Sequence, residues 1–534
     1  MRTQQDAPQR SGLRETSQCS SRLGYEDKSP GEVPTIARIP GRFYWIFLSM
    51  SVLALAASFS STTLTVSMAT IANDLDLSVT ETFWLGTSTA LTTTVVQPGS
   101  ATFADIVGRR WALAVSAAWL AAGSLMVALG HQYPVMIAGR SIQGFGVGGI
   151  YTVTEIVVTD LVPLRLRGIW FAILSIFVAI GICVGPVAAG ILTESASWRW
   201  IFGGTAAMSI AGMLACFITV PAGLGRQRKR SCMEQLCKID YIGLAILSTS
   251  LLCFLIPLLQ ATVVYPWADV RTLLPLMLGV VGFAIFIIFE QKWAKYPLIP
   301  LAKFANRTCI ITFICSSIHG LAVWCLMYYI PLYYEAIKRF NTRDSGLATL
   351  PETVSMVIAA TVGGCMVTWL GRYRWAIWLG WAASSAGMGL LILLESATPT
   401  AGWIGLNLLV GIGLGLISGT LQFPIQASVE TEQIPVAVSL FMFCRSFGAS
   451  LGISIGSALF LSEVPGGNQF GVILLMDTGS TLSGLRRIWI FCTAICTAVL
   501  VLSIWIKSFS LDRFEAKGDF ETDSIVEASG KQHV

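Results

Sequence analysis

Apolar residues fall in long runs along this chain, and polar residues gather in the gaps between them. A helix that crosses a bilayer needs about 20 mostly apolar residues. Runs of that length predict helices near 43–66, 80–103, 111–130, 133–158, 169–192 and 199–221. Two more are predicted near 240–260 and 271–290, then six near 308–334, 345–369, 375–394, 400–423, 436–461 and 486–507. The pattern therefore predicts an all-α polytopic membrane protein with fourteen spans grouped six, two and six. Six-helix bundles are expected over 43–221 and 308–507, joined by a segment (222–307) holding a loop, two extra helices and a linker. Polar tails at 1–42 and 508–534 read as disordered. The stretch 462–485 is ambiguous, because its apolar core Phe470–Met476 is too short to span.

The fifth run contains Gly181, Gly185, Pro186 and Gly190, arranged as GICVGPVAAG. Glycine costs about 1 kcal/mol and proline about 3 kcal/mol relative to alanine inside a helix. Packing must therefore favour a bare, bendable surface, as it does where helices approach closely in lipid. The fifth run of the later block carries Gly448, Gly452 and Gly456 at four-residue spacing. Both blocks also have a basic turn after their second run, Asp105-Ile-Val-Gly108-Arg109-Arg110 and Gly371-Arg372-Tyr373-Arg374. Such internal echoes are how many secondary transporters are built, with the substrate site between the repeats.

Composition agrees. Of 534 residues, 54% are hydrophobic and 12% charged, about half the charged share of a soluble domain. The net charge of +5 is spread over short loops, so nucleic acid is not an expected partner. Lys and Arg gather on the side that holds Arg109, Arg165, Arg228 and Arg372, which predicts both termini in the cytosol. The only sequon, at Asn306, then falls in the cytosol and stays unmodified. Cys19, Cys232 and Cys237 also fall there, and disulfides are not indicated.

Several patterns carry no chemistry. Gly144-Phe-Gly-Val-Gly-Gly149 fits a dinucleotide fingerprint by letter but lies inside an apolar helix, where close packing explains it better. No GxxxxGK[ST] occurs, so no nucleotide is expected to drive the protein. His131, His319 and His533 are far apart and show no metal-binding spacing; for His319 a packing role is favoured. No cofactor is expected, and no nucleophile–base pair suggests an enzyme.

Ionisable residues inside spans are functional candidates. Arg140 and Glu155 share the fourth span, fifteen residues apart, which is about 22 Å of helix, so they cannot pair directly. A cavity carboxylate at Glu155 could shuttle protons, and a structural ion pair near the inner interface is the competing reading. Arg445 carries the same ambiguity. Trp324 and Tyr328 are candidates for a greasy ligand cavity, whereas Tyr333 and Tyr334 are assigned to an interfacial belt. Gln143, Asn407, Gln422 and Gln426 could orient a neutral ligand or bond neighbouring helices.

The turn built on Asp105, Gly108, Arg109 and Arg110, the run Gly139-Arg140-Ser-Ile-Gln143-Gly144 and the GICVGPVAAG helix together resemble signatures of the major facilitator superfamily. With fourteen spans, Ile239-Asp240-Tyr241-Ile242-Gly243 and Asp160-Leu-Val-Pro-Leu-Arg165-Leu-Arg167-Gly168, the chain is similar to the fungal fourteen-span drug:proton antiporters over roughly 40–510. The resemblance implies a major facilitator fold and proton coupling at Arg140. It implies an inner gate in which Asp105 and Arg109 meet Asp160, and an exporter helix built on the glycine run. Three departures stand out: Ala101 where the family has glycine, Ile106 where it has a basic residue, and Ser60 where exporters often have aspartate.

The expected activity is export of a hydrophobic small molecule (drug, toxin or secondary metabolite) by proton antiport. Its partners would be that molecule, protons and the lipid bilayer, and the protein would work as a monomer in the plasma membrane or the vacuolar membrane. A proton symporter, for instance of siderophores, is the rival reading, and a non-transporting membrane sensor is a third.

Overall fold

The computed structural model describes residues 41–77, 79–224, 240–261, 265–295, 297–462 and 478–511. Outside them lie most of the two expected tails, Cys19, Cys232, Cys237, Ile239, Arg228 and the apolar stretch Phe470–Met476. Among the described residues there are fourteen helices of 18 residues or more. The first block comprises α1 (Gly41–Thr62), α2 (Val79–Val107), α3 (Arg109–Leu129), α4 (Tyr133–Leu161), α5 (Arg167–Ser195) and α6 (Arg199–Thr219). An inserted pair comes next, α7 (Tyr241–Gln260) and α8 (Val270–Lys292). The second block comprises α9 (Arg307–Leu332), α10 (Leu350–Leu370), α11 (Arg374–Leu391), α12 (Thr400–Thr420), α13 (Ile434–Leu461) and α14 (Thr478–Ser503).

Eleven of these helices are long and apolar enough to cross a membrane. The other three are α2, α4 and α11. In α2 and α4 the polar side chains that lower the hydropathy point inward, where Thr93, Gln97, Arg140 and Gln143 are buried. A helix facing the interior of a bundle does not have to be apolar on all sides.

Two compact units are distinguished. The described residues up to Leu48 form the first, in which Phe43 and Tyr44 meet edge to face. The second begins at Ser49 and holds both six-helix blocks beyond that point, together with the inserted pair.

Small residues decide how the helices pack. On α4, a Cβ at Gly144 or Gly148 would run into Thr92, Thr93 and Val96 of α2, and one at Gly146 or Gly149 into Ser116 and Leu120 of α3. The GFGVGG letters thus serve helix-to-helix contact on two faces. Helix α5, which carries the GICVGPVAAG run, lies on α1 in the same way, Gly181 against Ser58 and Gly185 against Thr62. Its counterpart α13 lies on α9 through Gly448 against Ser317, Gly452 against Leu321 and Gly456 against Tyr329. In both blocks the fifth helix rests on the first along a seam of small residues, so the internal echo in the sequence is an echo in packing. Pro186 sits inside α5 without ending it.

The inserted pair touches both blocks. Leu244 of α7 meets Gly99 of α2, and Phe254 of α7 stacks on Phe447 of α13 with ring centroids 5.7 Å apart. Asp240 caps α7 by accepting from the Gly243 N–H at 2.7 Å, and Asn306 caps α9 by accepting from the Cys309 N–H at 2.8 Å.

After α9 the chain makes a π-turn over Tyr333–Ile337. Tyr333 and Tyr334 are 0% and 1% exposed, which overturns their assignment to an interfacial belt. The Tyr333 hydroxyl donates to the Glu395 carbonyl at 2.9 Å, and Tyr334 packs on Phe340 and Trp403. The turn swings both rings into the second block, where a phenol needs and finds a partner.

Candidate functional site

A cavity of about 290 Å³ lies between the two blocks. Its wall takes residues from α1, α2, α4 and α5 on one side and from α9, α10, α12 and α13 on the other. Arg140, Tyr151, Glu155, Trp324, Tyr328, Gln422 and Arg445 all reach it. Most of the remaining wall is aliphatic or aromatic, the usual makeup of a small-molecule site.

Arg140 is 1% exposed and held on one flank by neutral acceptors. Its Nε donates to the Leu85 carbonyl at 3.2 Å, and its Nη1 to Gln143 Oε1 at 2.7 Å and to the Ser60 carbonyl at 3.5 Å. Gln143 in turn donates to Ser124 Oγ at 2.8 Å. Gln143 therefore sits behind the wall and orients Arg140, a role different from the ligand contact expected of it. Ser60, which stands where related exporters often carry aspartate, offers Arg140 only its backbone oxygen.

Glu155 faces the cavity beside Arg445, and the two interact electrostatically across the blocks without an ion pair within 4 Å among the described residues. The buried Glu155 Oε2 has no hydrogen-bond partner among the described residues, and Arg445 donates from Nη2 to Ser418 Oγ at 3.0 Å. Glu155 thus lines the cavity. Tyr151, one turn before it on α4, also lines the cavity. The spacing i, i+4 puts both on one face, so proximity to Glu155 in the sequence is the signal that marks Tyr151. Asn407 is a correction: it does not line the cavity but donates to the Tyr334 hydroxyl, inside the second block. His319 bonds the Leu414 carbonyl at 3.1 Å, as a packing role requires.

The end of the bundle that carries the basic turns is tied by charge pairs and by bonds between the blocks. Gly108 adopts φ 89°, a left-handed conformation suited to glycine, and starts α3 so that Arg109 points back into the protein. Arg109, 1% exposed, meets Asp105 Oδ1 at 2.6 Å and Asp160 Oδ2 at 2.8 Å. The three charged gate residues named from the sequence are therefore brought together. Ala101 and Ile106, two of the departures, are both buried, and Ile106 occupies in the apolar packing the place where the family carries a basic group.

Contacts between the blocks cluster at this same end. Arg167 donates from Nη1 to Gln426 Oε1 at 2.8 Å while its Nε and Nη2 hold the Val162 and Thr159 carbonyls. Arg165 Nε donates to the Thr368 carbonyl at 3.3 Å, and Ser439 Oγ donates to the Gln97 carbonyl. Gly168 and Gly364 abut backbone to backbone. These cross-block bonds are not legible in the sequence, since neither partner of any pair is near the other along the chain.

Comparison with known proteins agrees with this architecture. The Major Facilitator Superfamily family model matches residues 50–453. The "MFS transporter L2" of Phoma sp. is 34% identical over 522 residues, covering 92% of this chain and 87% of its own length. The "MFS-type efflux pump LUC4" of a Fusarium species is 31% identical over 448 residues, covering 84% and 79%. Among solved structures, the human organic anion transporter MFSD10 superposes with a TM-score of 0.60 at 13% identity, covering 87% of this chain and 100% of that one. The proton:xylose symporter XylE gives 0.58 at 12% identity, covering 88% and 96%. Two structurally echoing blocks, a cavity between them and these matches lead to one conclusion: the chain is a membrane transporter that belongs to the major facilitator superfamily.

Proposed function

We propose that the protein exports a hydrophobic small molecule from the cytosol by proton antiport, with all fourteen long helices spanning the membrane as six, two and six. The observation that carries this reading is a carboxylate, Glu155, facing a mostly apolar cavity at the junction of the two blocks. Glu155 takes and releases the proton, Arg445 supplies the cationic field it works against, and the cavity takes the cargo. The Asp105–Arg109–Asp160 cluster and the bonds from Arg165 and Arg167 hold the cytosolic end shut. The described state is then outward-facing, and protonation and cargo exchange bias it against an inward-facing state. Export, and not uptake, is supported by relatives whose names are efflux pumps. Both termini in the cytosol and a plasma-membrane location complete the proposal.

The test is Glu155→Gln in proteoliposomes with an imposed pH gradient. Gradient-driven transport should fall by about tenfold or more, within the ordinary range of a coupling energy, with membrane insertion unchanged. Full gradient-driven transport by the variant removes Glu155 from the mechanism.

A further inference from the structure

The charge balance of the cavity is lopsided. Its lining holds three charged side chains, Arg140, Arg445 and Glu155. Arg445 and Glu155 answer one another across the blocks. Arg140 has no such counterpart among the described residues: its bonds go to two backbone carbonyls and one amide, all neutral. A buried cation without an acidic partner is costly, and side chains in that position usually find an anion. Here the protein supplies none among its described residues, while the guanidinium borders the cavity and its Nη2 makes no bond to a described residue.

Held from one flank by Leu85, Ser60 and Gln143, the guanidinium keeps one orientation, and a fixed planar fork is the geometry that carboxylates and related oxyanions match best. Trp324 and Tyr328, also in the lining, have ring centroids 6.0 Å apart and give an aromatic floor for an apolar body. We infer that Arg140 is the anchor for an anionic group on the cargo, so that the preferred substrates are organic acids with a flat or apolar body. This rests on the transport reading for the direction of movement only; the binding preference stands by itself.

The anchor and the proton site are far apart. Fifteen residues of α4 separate Arg140 from Glu155, about 22 Å along the helix. At an effective dielectric near 20, unit charges at that distance change each other's affinity by about fourfold at most. The anion therefore neither displaces the proton nor strongly retains it by charge, and coupling between them runs through the conformational states each favours.

The experiment compares three probes that share one ring system: 1-naphthoate, 1-naphthamide and 1-naphthylmethylammonium. Binding is measured by equilibrium dialysis on the full chain in nanodiscs, with empty nanodiscs subtracted. The expected order is naphthoate tightest by about 10- to 100-fold over the amide, the span of a charge-assisted hydrogen bond, and the ammonium weakest. In Arg140→Gln the naphthoate advantage should shrink to about threefold or less, and Arg140→Lys should keep part of it, having the charge without the fork. Should Arg140→Gln not fold, the wild-type order and the lysine variant still decide. Equal binding of the three probes, a preference for the ammonium, or an advantage lost in Arg445→Gln but kept in Arg140→Gln overturns the assignment. Naphthoate that binds with the expected order yet is never expelled from loaded vesicles leaves the anchor standing and removes export.

Discussion

The carbonyl oxygen of Gly364 occupies the space where a side chain on Gly168 would begin, and a Cβ on Gly364 would lie 2.8 Å from the Gly168 oxygen. Helices α5 and α10, from different blocks, touch there backbone to backbone. Any side chain at either position separates the blocks. Gly168→Leu is expected to hold the basic end open and stop turnover. The check is a thiol placed at Thr368 in a background without reactive native cysteines: it should react with an impermeant maleimide from the basic side in the variant and stay protected otherwise. Equal protection in both means that this contact is not the seal.

Arg109 serves two carboxylates at once, at 2.6 and 2.8 Å, from a buried position. Removing it strands the Asp160 carboxylate, which is 9% exposed, at a cost of about 3–5 kcal/mol, whereas Asp105 is 45% exposed and loses little. Arg109→Ala should therefore lower the thermal midpoint clearly more than Arg110→Ala does. Arg110 lies with its guanidinium 3.7 Å from the centroid of the Phe217 ring, a contact worth about 0.5–1 kcal/mol when partly exposed. Similar midpoints for the two variants would contradict this assignment.

Beyond the end of α1 the chain continues as a short helix, Leu64–Asp74. The Asp74 carboxylate accepts from the Trp198 indole at 3.0 Å and from Arg199 Nη1 at 3.2 Å, and these donors hold its pKa below the usual carboxylate value. A depressed folded-state pKa contributes stability that is present above the unfolded value, about 4, and is lost as pH falls through the folded one. The wild type should lose thermal stability on going from pH 5 to about pH 3, and Asp74→Asn should lose less over the same interval. Asp74 is half exposed, so the effect is modest. An identical loss in both proteins places the acid sensitivity elsewhere.

The seam between α5 and α1 has room for hydrogen only. Gly181→Leu would drive a side chain into Ser58 and the Leu55 carbonyl, and overpacking of this sort costs about 1–3 kcal/mol. Expression should drop, and Gly181→Ala should fall between the leucine variant and the wild type. Because α13 repeats the arrangement on α9, Gly452→Leu should behave alike; a benign Gly452→Leu would show that the two seams are not equivalent.

Legibility in the sequence differs from residue to residue. Helix number and approximate limits follow from run length, because lipid leaves the backbone no alternative to a helix. Asp105, Arg109 and Asp160 can be named in advance because they sit in motifs whose turns fix their positions. Polar residues inside an apolar helix are harder: Gln143 and Asn407 bond within a block, Gln422 faces the cavity, and nothing in their neighbourhoods distinguishes the cases. Tyr333 and Tyr334 escape a reading by composition because a π-turn rotates both rings, and no local composition marks such a turn. Arg167 with Gln426, and Ser439 with Gln97, depend on tertiary closeness alone.

One chain of side chains ties the chamber to its seal. Gln422 forms part of the chamber wall, Gln426 Nε2 donates to Gln422 Oε1 at 3.5 Å, and Gln426 Oε1 receives Arg167 from the opposite block. On the proposed transport reading, a passenger bulky enough to push Gln422 aside would also loosen this hydrogen-bonded clasp between the blocks. Length alone could then sort compounds into those that trigger their own release and those that jam the mechanism as inhibitors, and a homologous ligand series of growing size would locate the crossover.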